Sequence, residues 1–162
     1  IAKGSTIEEF KKVYGTQNVS QVDVPLGEGE TAKGYQLFPK DPEREMMILF
    51  SDDQKELSAF IRSKESKWTI LNKIQMGTTL QNVEKLNKAA FKLYGFEWDY
   101  GGTVSSYGGG ALEQYSSNLT IIFEPSISDE NTMKVLGDDE YSSFNKNMIH
   151  AKPVVCEIQV RM

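Results

Sequence analysis

The chain has 162 residues, 18 Lys and Arg against 23 Asp and Glu, a net charge of −5, and 39% hydrophobic residues. The basic residues form no stripe, which argues against nucleic acid, whose phosphates demand clustered Lys and Arg, and against anionic membrane surfaces. A single cysteine, Cys156, excludes an intramolecular disulfide and a thiolate metal cluster.

From its start the chain reads as trimmed, because it opens at Ile1 rather than at Met; a removed signal peptide is the favoured explanation, with a lipid anchor upstream of Ile1 left open. No apolar run approaches the roughly eighteen residues of a membrane span. Ser5 and Glu8 have capping-box spacing, and the apolar stripe Ile7, Phe10, Val13 and Tyr14 predicts a short helix that Gly15 ends. The period then changes to two. Strands are predicted at Val19–Leu26, Ala32–Phe38, Arg44–Phe50 and Leu57–Arg62, separated by turn clusters such as LGEGE and PKDP. After a boundary at Ser63–Lys73, where KESK reads as a turn, Thr78 and Gln81 repeat the capping spacing. Leu80, Val83 and Leu86 form the second stripe, with Asn87 as its end. Strands follow at Phe91–Tyr100, Thr103–Tyr107, Leu119–Glu124 and Val154–Arg161. A polar insertion of about 26 residues, near 127–153, is predicted as a loop with a short helix around Asn131–Leu136.

The two halves align on each other. Ile1–Gly15 lies over Ile74–Lys88 at an offset of 73, with identities at Ile1/Ile74, Gly4/Gly77, Thr6/Thr79 and Lys12/Lys85. The same offset sets Met46–Phe50 against Leu119–Phe123. The expected fold is therefore α+β, as two tandem repeats over 1–72 and 73–162, each a short helix packed on an antiparallel sheet. The pattern Gly-(Ser/Thr)-Thr-(Ile/Leu)-x-x-(Phe/Val)-x-Lys-(Val/Leu), followed by strands and then repeated, resembles the tandem-repeat fold of the β-lactamase inhibitory protein and of the small SmpA/OmlA-type outer-membrane lipoproteins. FKLYGFEWDYGGTVSSYGGG is similar to stretches in bacterial lipoproteins. The resemblance implies an extracytoplasmic module, periplasmic or attached to the outer membrane, that binds a protein or envelope component and performs no chemistry. It transfers no contact residues.

Within Phe91–Gly110, the aromatics Tyr94, Phe96, Trp98 and Tyr100 fall on every second residue and would share one face of an extended strand. At the constant offset they stand opposite Gln21, Asp23, Pro25 and Gly27, so the ladder would be exposed. A bulge at Gly95 would instead set them against Val22, Val24 and Leu26 and bury them. If exposed, Tyr94, Phe96, Trp98 and Tyr100, with Tyr107, are the candidate binding residues, because aromatic rings offer large contact area with few rotatable bonds.

Catalytic signals are sparse. His150, the only histidine, is a candidate general base that could pair with Cys156, Ser142 or Ser143, with Asp138, Asp139 or Glu140 in support, and this is the basis of an alternative hydrolase reading; a purely structural domain of an envelope lipoprotein is the other alternative. The glycine runs lack a phosphate-loop pattern. The acidic pairs Asp52/Asp53 and Asp129/Glu130, and the run Asp138–Glu140, lack the alternation of a calcium loop. No cofactor and no metal is expected.

Overall fold

The computed structural model describes residues 4–27, 29–53 and 55–162. Ile1, where the internal alignment starts, and Glu28 of the LGEGE turn lie outside the described residues. The chain turns at Gly4, φ +79°, and enters α1 (Ile7–Tyr14) through Thr6, which holds the extended backbone that a cap needs. The Thr6 hydroxyl accepts from the Glu9 N–H at 3.3 Å, and the Glu9 carboxylate accepts from the Thr6 N–H at 2.9 Å. This capping box sits one residue later than Ser5 and Glu8 predict. Helix α2 (Leu80–Asn87) shows the same shift: Thr79 caps it, while the Thr78 hydroxyl accepts from the Gln75 N–H at 3.0 Å.

The helix ends differ from each other. Gly15, φ +89°, closes α1, whereas α2 runs through Asn87 and is closed by Lys88 in the left-handed region. Asn87 is buried, and its amide donates to the carbonyls of Ala89 and Tyr107 while its carbonyl accepts from the Leu112 N–H. Val13 lies beyond the edge of the α1 stripe and is exposed, so Ile7, Phe10 and Tyr14 carry the packing. Phe10 stands 6.4 Å from Phe50 on the sheet, and Tyr14 is edge-on to Phe38 at 5.2 Å.

Strands β1 (Val19–Gly27), β2 (Glu30–Leu37), β3 (Met46–Phe50) and β4 (Leu57–Ile61) form an antiparallel meander. The second half supplies β5 (Lys92–Tyr94), β6 (Val104–Ser106), β7 (Leu119–Glu124), β8 (Glu140–Ser142), helix α3 (Lys146–His150) and β9 (Val154–Arg161). The described residues form a six-stranded sheet ordered β1-β2-β3-β4-β9-β7 and a three-stranded sheet ordered β6-β5-β8. A single bridge, Thr103 to Ile122, connects the small sheet to the edge of the large one. The fold class is α+β.

Register fixes the two faces of the large sheet. The row Ile48, Ala59, Val160 and Leu119 lies on the helix side, and the row Met47, Phe60, Gln159 and Thr120 lies on the other. One core runs through both halves, joining Phe10, Leu37 and Ile48 to Val83, Phe123, Met148 and Ile158. Burying each such side chain stabilises the fold by about 1.5–3 kcal/mol, which is why helices of two turns persist here.

Four elements of the second half differ from the sequence expectation. The predicted strand Phe91–Tyr100 keeps only Lys92–Tyr94 as ladder. The insertion carries β8, which extends the small sheet beside β5, and α3, whose cap Asn145 accepts from the Asn147 and Met148 N–H groups. Its predicted helix is a 3-10 turn at Thr132–Val135. Among the described residues no helix is long and apolar enough to cross a membrane.

Candidate functional site

In β5 the alternation lasts three residues: Lys92 exposed, Leu93 buried, Tyr94 half-buried. At Gly95 the chain abuts the segment Val135–Gly137 so closely that a Cβ would stand 2.5 Å from the Gly137 carbonyl oxygen and 2.8 Å from that of Val135. The Phe96 N–H donates to the Val135 carbonyl at 2.9 Å, and the Gly137 N–H donates to the Phe96 carbonyl at 3.0 Å, forming a parallel bridge to Leu136. Glu97 then takes φ +74°, a left-handed backbone that ends any extended ladder.

The residues that follow form a turn fastened by its own main chain. The Gly101 N–H donates to the Trp98 carbonyl at 2.7 Å and the Thr103 N–H to the Tyr100 carbonyl at 3.0 Å. Gly102 donates to the Gly95 carbonyl and accepts from the Phe123 N–H, both at 3.0 Å, which ties the turn to β7. Gly102 has φ +72°, and a side chain there would collide with the Phe123 carbonyl.

This geometry separates the five predicted binding residues. Trp98 is 65% exposed and Tyr100 61% exposed. The half-buried Tyr94 ring lies 5.9 Å from that of Tyr100. Phe96 and Tyr107 are in the core, 1% and 2% exposed, and are corrected from contact residues to supports. Tyr107 donates its hydroxyl to the Leu119 carbonyl at 3.4 Å, and burial pushes its phenol well above the ordinary range. The structure follows neither register weighed for the ladder, because Gly95 and Glu97 break the strand before Trp98.

Met133 and Phe144 are also exposed, in stretches that composition marked only as polar insertion. Flanking the exposed rings, Glu97, Asp99, Asp138 and Asp139 stand in solvent. Lys92 pairs with Glu140 at 3.2 Å across the small sheet.

The hydrolase candidates do not hydrogen-bond to one another. His150 Nε2 meets Asp129 Oδ2 at 2.7 Å rather than Asp138, Asp139 or Glu140, and that bond holds the Asp129 carboxyl down at about 2. Ser143 is buried, donating its hydroxyl to the Glu84 carboxylate and accepting from the Phe91 N–H. The Ser142 hydroxyl accepts from the Phe144 N–H at 3.2 Å. Cys156 contacts the Ile122 carbonyl at 3.5 Å, and burial pushes its thiol up to about 11, away from a nucleophilic thiolate. Asp53 is held by Ser51 and Lys55. Among the described residues no group of three or more His, Cys, Asp or Glu side chains could hold a metal ion. Set against protein-family models, curated proteins and solved structures, the chain matches none of them.

Proposed function

We propose that the protein is a non-enzymatic, extracytoplasmic binding module that recognises a protein or cell-envelope component, with Trp98 and Tyr100 as its anchors and Tyr94 as the edge of the contact. The observation that carries this reading is the exposure of two large aromatic rings on a turn whose backbone is already fastened at Gly95, Gly101 and Gly102. A rigid, amphipathic ring loses little entropy on binding, so a turn held in place loses still less. Phe96 serves from below by keeping the start of the turn on the core, and Tyr107 is buried away from the contact.

The chain is further read as two copies of one helix-plus-antiparallel-sheet unit, of the β-lactamase inhibitory protein and SmpA/OmlA kind, and that resemblance alone carries the extracytoplasmic placement. Two correspondences support the repeat. Helix α2 begins 73 residues after α1, Leu80 against Ile7, and β7 begins 73 residues after β3, Leu119 against Met46.

The test follows Trp98 emission in a Trp68→Phe background. Alone, the ring should emit red-shifted and be quenched by iodide. With an envelope extract it should shift blue and become protected, and Tyr100→Ala should abolish that shift. Emission that no fraction alters, together with unchanged cross-linking in the Trp98→Ala Tyr100→Ala variant, would sink the reading.

A further inference from the structure

A second feature shares no residue with the aromatic turn. Between the start of α2 and the connection from α3 to β9 lies a half-open cleft of about 510 Å³, within the size range of small-ligand sites. Its walls are Leu80, Ile127, Ile149 and Pro153, and its ionisable lining residues are His150 and Lys152. Among the described residues no carboxylate lines it.

Main-chain bonds fasten the segments on either side of the cleft. The Leu80 N–H donates to the Pro153 carbonyl at 2.9 Å, and Val155 exchanges bonds with Gly77 and Thr78 at 2.8 and 2.9 Å. On the other side, the N–H groups of Ser126 and Ile127 donate to the Ala151 carbonyl at 2.9 and 3.1 Å. Asp129 then fixes His150 from outside the cleft, its second oxygen accepting from the Asn131 and Thr132 N–H groups at 3.0 and 3.1 Å.

Lys152 has two features that mark it. It is exposed and joins no ion pair among the described residues, and it adopts φ +46°, a left-handed backbone that is strained for a non-glycine residue. The N–H of Lys152 donates to the Ile149 carbonyl at 3.1 Å, holding that conformation against the strain. His150, with Nε2 committed to Asp129, has its other ring nitrogen unpaired among the described residues.

We propose that this cleft binds a small amphiphilic monocarboxylate, its apolar body against Leu80, Ile127, Ile149 and Pro153 and its carboxylate at Lys152 and the free edge of His150. The apolar walls suit a hydrocarbon or aryl body, and the Lys152 ammonium, which joins no ion pair among the described residues, suits an anion. A purely inorganic anion would leave the walls wet, and a neutral hydrocarbon would leave Lys152 unpaired.

The test is an amide NMR titration of the whole chain with octanoate, octanol and acetate. Octanoate should saturate, with shifts confined to residues 79–81, 127 and 149–153. Acetate should produce no saturable change, and octanol should bind about tenfold more weakly. Lys152→Gln, which removes the charge and keeps a polar side chain, should reduce octanoate affinity about tenfold and leave octanol unaffected. Ile127→Gln, removing apolar wall, should weaken both. Octanoate shifts that never saturate or scatter over the surface would overturn the proposal, as would equal octanoate affinity in wild type and Lys152→Gln.

Discussion

The contrast between neighbouring aromatics sets the residue-scale expectations. Phe96 is enclosed by the Val135–Gly137 segment, so Phe96→Ala should lower stability by about 3–5 kcal/mol, read from chemical denaturation. Trp98→Ala, two residues on and largely in solvent, should change stability by about 0.5 kcal/mol or less while weakening partner capture about thirtyfold or more. Equal destabilisation by both would show that the turn packs rather than binds. His150→Ala should let the Asp129 carboxyl rise from about 2 toward its ordinary value of 3.8, followed through the side-chain carbon by NMR. Because the folded value is depressed, the contribution of Asp129 to stability is present above its unfolded value and is lost as pH falls through about 2. The sequence showed the aromatic residues but not their separation. Alternation assigns a face only while the chain remains extended, and two events that alternation cannot register, the close approach at Gly95 and the positive φ at Glu97, end the strand after Tyr94.

At the scale of elements, the local signals were legible where one stretch of chain suffices. Both α-helices with apolar stripes, and β7 and β9, lie where periodicity puts them, and the caps differ from expectation by one residue, Thr6 and Thr79 holding the extended backbone and accepting the capping bonds. Thr6→Ala should therefore cost about 1 kcal/mol in a thermal melt. The elements that escaped, β8 and α3, are short and polar in sequence. They exist through partners elsewhere: β8 pairs with β5, and α3 buries Met148. Asn87 shows the same dependence on distant chain. It had been read as a helix end, yet its buried amide joins α2 to Ala89, Tyr107 and Leu112. Asn87→Ala should cost about 3 kcal/mol, more than an ordinary cap, because the groups it serves would be left buried and unpaired.

Across the whole molecule, the two halves meet strand to strand, with β4 against β9 inside the six-stranded sheet and β7 at the edge beyond. Ile158 on β9 faces Ile61 on one side and Ile121 on the other and is fully buried. Ile158→Ala should destabilise by about 2–5 kcal/mol and should do so in one cooperative transition, since the core is shared. Two separated transitions would show that the halves melt independently.

The place of β9 between β4 and the edge strand β7 also determines the order in which the sheet can close during synthesis. Strand β4 leaves the ribosome about a hundred residues before its neighbour, and β7 some thirty before it, so both wait with bare hydrogen-bonding edges facing a gap one strand wide. Until Val154–Arg161 arrives, that gap accepts a strand from any nearby chain as readily as its own, and a nascent chain stalled in the insertion is the species most exposed to domain swapping.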